Sequence, residues 1–464
     1  MNERASESIQ QTLGEFSDRL DTREVLLENG AVDSAGALFR KVLPEGTWLV
    51  AFDERTREVA GERVLSSLAR AGVDVHPLDL GRQDAGGSGS AGGADQLEHA
   101  PVCDDASIRR CMEAMKAAGA VAAVAVGSGT ITDIVKMAAY RTGIPMVVVA
   151  TAPSMNGYTS AISAILSDGV KTTVPCRPPK AVIADTDVLA AAPMRMIQSG
   201  LGDLLSKPVS NADWAVSAYL GLSEHSTDAA RIIERSSDLL TGVAPKLPQR
   251  DSEAVGNLTA TLILSGFAMS VAGGSSPASG GEHLISHYID MTSIAAGTPH
   301  DFHGCQVGVG TIASATLYEH LFTIRSEEID VSALCSRLPD WSDYAALLSR
   351  RFGGLYDAVA THAKAAYPDR DTLVARLTSI RDNWDDILSK AGTLLRSADS
   401  IEAELASAGC PTRFSHIGVD PQRAYKAIAH SKDIRSRYTV LHLAWELGIL
   451  EKQAERIAAH LSGD

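Results

Sequence analysis

Three short segments of this chain carry side chains whose types and spacing could do chemistry. GLGDLLSK places Asp203 and Lys207 four residues apart, the spacing of one helical face. GGEHLISHYIDM does the same for His283 and His287, and TPHDFHGCQVGVGTI sets His300 and His303 just before a glycine-rich helix start. One carboxylate and two imidazoles make a good donor set for a divalent Lewis-acid metal, with positions left open for a substrate. Taken singly, each histidine is more often a hydrogen-bonded structural residue than a ligand, and Lys207 could simply pair with Asp203. His287, one turn past His283, fits either a fourth ligand or a proton carrier beside the metal.

A second kind of chemistry is legible in AVAAVAVGSGTITDIVK. A small-apolar run (120–126) feeds Gly127-Ser128-Gly129-Thr130, and a helix pattern follows at once. Glycines let the backbone approach a phosphate, and the unpaired N–H groups of a helix start favour negative charge. Thr130 or Thr132 could cap the helix or touch the phosphate. Thr132 stands where the usual dinucleotide fingerprint has its third glycine. Asp53 ends the run TWLVAFD, where an acid can bond a ribose hydroxyl or merely cap the next helix. In the first role it would disfavour a 2′-phosphate and so favour NADH over NADPH.

The elements that must position these residues follow from hydrophobic periodicity. Through the first 190 or so residues, TWLVAF (47–52), VDVHPL, AVAAVAV, IPMVVVA (144–150) and AVIAD (181–185) alternate with helical stretches. Continuous apolar runs of this length suit strands buried on both faces of a parallel, Rossmann-like sheet. Beyond about residue 195 only helical spacing remains, over 196–206, 211–222, 251–272, 304–320, 371–390 and 438–461. The expected organisation is an α/β dinucleotide-binding domain over 1–193 and an all-α metal-binding domain over 194–464. The Gly/Ser/Ala run at 84–94 reads as a flexible surface loop.

Composition narrows the partners. A formal net charge of -15 repels nucleic acid, so an anionic substrate needs a local basic pocket. Six cysteines without a CxxC pair indicate a reducing compartment. The polar N-terminus MNERASESIQQ is no signal peptide, and no apolar run approaches the roughly 20 residues that cross a bilayer. A cytoplasmic enzyme acting on a small molecule, with no membrane partner, is expected.

GSGTITDIVK, TAPSMNGYTS, VIADTDVL, GLGDLLSK, SPASGGEHLISHYIDM, HGCQVGVGTI and RSRYTVLH occur here in one order. In that order the chain resembles the glycerol-1-phosphate dehydrogenases, within the superfamily of iron-containing alcohol dehydrogenases, glycerol dehydrogenase and dehydroquinate synthase. The resemblance implies NAD or NADP as cofactor, one divalent metal (zinc, iron or nickel) and a homo-oligomer, dimer or larger. It places the metal ligands on Asp203, His283 and His303. The dinucleotide loop falls on Gly127, Ser128, Gly129, Thr132 and Asp133, and TAPSMNGYTS adds Thr151, Ser154 and Ser160 to the expected cofactor contacts. Lys207 stands where iron alcohol dehydrogenases carry another histidine, so three protein ligands are expected. Asn156 stands where relatives carry an acid in the substrate region, and Ser276 where they carry an arginine.

The reaction implied is reduction of dihydroxyacetone phosphate to sn-glycerol 1-phosphate, run reversibly. His287 and Lys207 are the expected catalytic and substrate-contacting residues, with Asn156 beside the substrate. Alternatives within reach of the same motifs are a dehydroquinate-synthase-like cyclase, a related polyol or alcohol dehydrogenase, and a non-catalytic nucleotide- or metal-binding protein.

Overall fold

The computed structural model describes residues 3–81, 101–167 and 170–463. The glycine-rich run at 84–94 lies outside the described residues. The chain packs as two compact units, one of Met1–Leu204 with Thr227–Ser275 and one of Leu205–Ser226 with Ser276–Asp464. The first unit thus runs past residue 193, the expected boundary, and takes in a later helical stretch.

The first unit is built on a sheet. Its strands are β1 (Glu24–Glu28), β2 (Trp48–Phe52), β3 (Val75–Asp79), β4 (Ala122–Gly127), β5 (Met146–Ala150) and β8 (Ala181–Asp185), in the order β1-β8-β5-β4-β2-β3. All pairings are parallel, with Val50 opposite Val124 and Val126 opposite Val149. Every residue of β2, β4, β5 and β8 is buried, so both faces of the sheet are covered, as their unbroken apolar runs require. Val50, Val124, Val149 and Ile183 share one core with Phe39 and Leu68. Each such side chain contributes roughly 1.5–3 kcal/mol on burial. The chain winds outward from β4 through β5 and, on the other side, from β2 to β3. β2 and β4 are therefore neighbours whose connections diverge, and the carboxyl ends of such strands are where doubly wound sheets bind ligands.

Two features escaped the sequence reading. EVLLE forms the edge strand β1, whose charged ends and short length resemble a loop. Between β5 and β8, β6 (Ile162–Ser167) and β7 (Val170–Pro175) pair antiparallel as a separate two-stranded sheet.

A third difference concerns apolar length. Helix Ser252–Ala272 has 21 residues and is long and apolar enough to cross a membrane, with a mean hydropathy of 1.5 over its best window. Interspersed Gly, Ser, Thr and Asn hide that length in the sequence. The helix is a core element of the first unit, with 89% of that window buried, and it packs against helices Thr227–Ser237 and Glu3–Glu15.

Among its described residues the second unit contains helices and no strand. The expected helices are present but several are interrupted. Asp203 ends up in helix Met194–Leu205 and Lys207 begins helix Lys207–Tyr219, so the two do not share one helical face. Pro208 explains the break, because its ring removes an N–H and clashes with the preceding turn. The stretch 371–390 divides at Asn383, and 438–461 divides where Gly448 adopts φ +70° after helix Val440–Glu446.

This unit buries charge as well as apolar surface. The Lys432 ammonium lies 2.7 Å from Asp433 and 4.1 Å from the centre of the Trp445 ring, and Tyr344 donates to the same carboxylate. Burial pushes His442 down to about 3 and His430 down to about 4, so both are neutral in the fold. In the unfolded chain each titrates near 6.5 and takes up a proton that the fold refuses. Stability should therefore fall as pH drops below about 6.5 and continue falling toward 3, by roughly 1.4 kcal/mol per pH unit for each histidine. Urea unfolding at pH 6.5, 5.5 and 4.5 tests this: His442→Gln should show a visibly shallower acid decline, and a slope equal to that of the unaltered chain would refute the account.

Candidate functional site

In the first unit, β4 ends at Gly127 and helix Gly129–Thr142 begins two residues later. A Cβ on Gly127 would lie 2.6 Å from the Ile131 side chain, so the turn needs glycine there. Ser128 sits at the cap position with extended backbone but makes no side-chain cap bond. Its hydroxyl is bonded to that of Ser154 and lies 3.2 Å from the Tyr158 hydroxyl, which donates to the Ala152 carbonyl at 2.6 Å. The helix start is left without a capping side chain, the arrangement that suits a phosphate. Thr132 is fully buried, and its hydroxyl has no hydrogen-bond partner among the described residues, which fits a position that a bound group completes.

Other expected cofactor residues have structural duties. Asp53 follows β2 and caps the next helix, accepting from the Thr56 N–H at 2.8 Å, so its capping role is realised. Asp133 accepts from Ala164 N–H at 3.2 Å and pairs with Lys136 at 3.4 Å, tying the helix to β6; burial raises its pKa and Lys136 lowers it. Ser160 is fully buried and donates to the Gly157 and Ile162 carbonyls. Thr151 is buried just beyond β5, and its N–H bonds the Gly127 carbonyl.

Asp203 belongs to this same unit. Its helix approaches residues 151–157 so closely that a Cβ on Gly200 would sit 1.9 Å from the Pro153 carbonyl oxygen. Ser199 adds a bond to the Ser154 carbonyl at 3.0 Å. Both Asp203 oxygens then accept from Asn156, one from its N–H at 3.0 Å and one from its side-chain amide at 3.1 Å. Asn156, expected beside the substrate, thus holds the carboxylate. An acid at 156 would lack that amide donor.

In the second unit, helix Gly281–Ala296 carries Glu282, His283, Ser286 and His287, and helix His303–Leu321 begins at His303. The three imidazoles converge: ring centres are 5.2 Å apart for His283 and His303, 5.4 Å for His287 and His303, and 6.1 Å for His283 and His287. His300 is exposed, outside this group. The neighbours decide the tautomers. The buried Glu282 carboxylate can only accept, so His283 Nδ1, 2.8 Å away, carries the hydrogen. Gln306 donates to Asp290 at 2.8 Å and to the Asp301 carbonyl at 2.9 Å, which turns its oxygen toward Ser286. Ser286 gives its hydrogen to that oxygen at 3.0 Å and so accepts from His303 Nδ1 at 3.0 Å. On both histidines the lone pair is therefore on Nε2, and a carboxylate or hydroxyl behind Nδ1 is the usual support of a metal-bound imidazole. Among the described residues no three His, Cys, Asp or Glu groups are placed to hold a metal ion together.

Lys207 is buried and its ammonium donates to the Ala278 carbonyl and the Ser206 hydroxyl, both at 3.2 Å. Arg437 donates to the Ser279 carbonyl, so two cations grip the segment where relatives carry an arginine. Asp213 anchors the histidine helix, accepting from Gly281 and Val440 N–H groups at 2.7 Å and from Tyr318 at 2.6 Å. Burial and the neighbouring Glu282 push its carboxyl up to about 7. Glu282, Ser286, Gln306 and Asp213 were not singled out from sequence as site residues. The Glu immediately before His283 and the Ser three residues after it were the available signals.

Known proteins share the fold and the family of this chain. A family model described as iron-containing alcohol dehydrogenase matches residues 26–193. Solved structures share the fold: a probable glycerol dehydrogenase from Sinorhizobium meliloti 1021 (TM-score 0.59, 18% identity, 94% of this chain and 98% of that one) and maleylacetate reductase from Rhizobium sp. strain MTP-10005 (TM-score 0.59, 16% identity, 95% of each). Over residues 26–193 the chain matches the class of the iron-containing alcohol dehydrogenases. Within it, glycerol-1-phosphate dehydrogenase (NAD(P)+) of Bacillus licheniformis is 31% identical over 72% of this chain and 80% of its own length. That of Pyrococcus furiosus is 32% identical over 64% and 78%. The chain belongs to the glycerol-1-phosphate dehydrogenase family.

Replacing the acceptor behind His283 should loosen its tautomer. Glu282→Gln is expected to weaken divalent-metal affinity by about 10–100-fold, read by competition with a chelating dye, while the melting temperature is held or raised. Unchanged affinity would show that Glu282 does not set the ligand.

Proposed function

We propose that this chain is a metal-dependent NAD(P)H oxidoreductase that reduces dihydroxyacetone phosphate to sn-glycerol 1-phosphate and runs the reverse reaction. The observation that carries the reading is the pair of imidazoles, His283 and His303, each with its Nδ1 hydrogen committed and its Nε2 lone pair presented. Membership of the glycerol-1-phosphate dehydrogenase family supports the substrate.

In this reading Asp203, His283 and His303 hold one divalent cation, zinc, iron or nickel, and Asn156 orients Asp203. When bound, the ion acts as a Lewis acid on developing negative charge at the substrate oxygen. Gly127, Ser128 and Gly129 at the helix start, with Thr132, Thr151 and Ser154, would hold the pyrophosphate of the dinucleotide. The nicotinamide, when bound, would supply a hydride to the ketone carbon, and the substrate oxygen would then need a proton from the protein. His287, stacked on His303 with 5.4 Å between ring centres, is the proposed donor. Lys207 and Arg437 set the Ser276–Ser279 segment and bring positive charge toward a phosphorylated substrate. All six cysteines are free, which supports a reducing, cytoplasmic setting.

The test is NADH oxidation with dihydroxyacetone phosphate and with unphosphorylated dihydroxyacetone, before and after metal stripping. Turnover of the phosphorylated ketone should vanish on chelation and return with one of the three metals. His283→Ala should lose turnover while keeping its fold and NADH binding, and undiminished turnover in that variant would remove the assignment.

A further inference from the structure

The first unit holds a cavity that no part of this chemistry uses. It encloses about 230 Å³ and is lined by Tyr140, Ile144, Met146, Arg177, Pro178 and Lys180, with Lys136 beneath. Met146 begins β5 and Lys180 immediately precedes β8, so the cavity lies at the amino ends of these two strands. The glycine turn follows the carboxyl end of β4, at the other edge of the sheet.

Its lining has a definite character. Arg177 is exposed and has no ion-pair or hydrogen-bond partner among the described residues. Lys180 is partly exposed and shares its ammonium with Asp21 at 3.3 Å. The Lys136 head is turned away, onto the Gly157 carbonyl at 2.8 Å and Asp133 at 3.4 Å, so it offers its aliphatic stem here. Tyr140 presents a phenol that is 44% exposed. Ile144, Met146 and Pro178 make the rest apolar. Arg177 and Lys180 flank two buried prolines, Pro178 and Pro179, whose fixed φ restrains the backbone that carries both side chains. In a chain of net charge -15, Arg177 and Lys180 bring positive charge to the rim of an apolar hollow.

We propose that this cavity binds a small organic oxyanion, its charged head on Arg177 and Lys180 and a compact apolar body against Ile144, Met146 and Pro178. Size supports the class. A cavity of about 150 Å³ accommodates benzene, and drug-sized ligands occupy roughly 300–1,000 Å³. The space here suits a single ring or short branched chain with one acidic group. Carboxylates and phosphate monoesters share that chemistry.

Calorimetric titration of the full chain with benzoate and with phenyl phosphate separates the two sources, with benzyl alcohol as the neutral control. Saturable binding of at least one anion is expected, well above that of the alcohol. Arg177→Gln should weaken it by roughly tenfold, the loss of one charge-assisted contact. Ile144→Trp, which fills the hollow, should abolish it. Both variants should oxidise NADH with dihydroxyacetone phosphate as the unaltered chain does, which distinguishes this site from the proposed catalytic one. No saturable binding, equal binding of benzyl alcohol, or affinity unchanged in both variants would overturn the proposal.

Discussion

An imidazole can bind a cation only through a nitrogen that carries no hydrogen, and here that choice is made by the groups behind the ring. Glu282 takes the Nδ1 hydrogen of His283, and a relay from Gln306 through Ser286 takes that of His303. The relay has a direction because Asp290 and the Asp301 carbonyl occupy the Gln306 amide. Reversing any one of these bonds would put a hydrogen where a lone pair is needed. The negative charge on Glu282 also makes its imidazole a stronger donor. Holding that charge in a buried place is costly, and the fold sets Asp213 nearby as well. Gly280 lets the two acids approach, since a Cβ there would meet Asp213 at 2.6 Å and Glu282 at 2.7 Å. The Arg437 guanidinium, attracted by both, offsets part of the repulsion.

The first unit solves a related problem with one loop. Residues 151–160 bond Ser128 through Ser154 and Tyr158, and bond Asp203 through Asn156. The glycine turn and the carboxylate are therefore fixed by the same short segment. Lys136 and Thr159 secure that segment in turn, the first through the Gly157 carbonyl and the second through the Ile263 carbonyl on the long apolar helix. The helix lies so close to this loop that a Cβ on Gly266 would sit 2.8 Å from the Asn156 carbonyl oxygen. The two departures from the family pattern acquire physical content in the same way. Asn156 supplies an amide to Asp203, and the segment that lacks an arginine at Ser276 is gripped by Lys207 and Arg437.

Much was already written in the order of residues. The five long strand runs, the glycine turn after AVAAVAV and the i, i+4 pair His283 and His287 depend on local period and local sterics, which a sequence carries directly. The edge strand EVLLE, the break at Ser206 and the 21-residue core helix were less visible, because short length, a single proline and scattered polar residues blur the pattern. What only tertiary packing decided is which side chain faces which. Asn156 met Asp203 across 47 residues and Ser286 met His303 across 17, while Asp133 and Ser160 turned to support the backbone. Periodicity states which face of an element is apolar. It does not state which neighbour will supply the hydrogen-bond partner, and at this site the partners determine the chemistry.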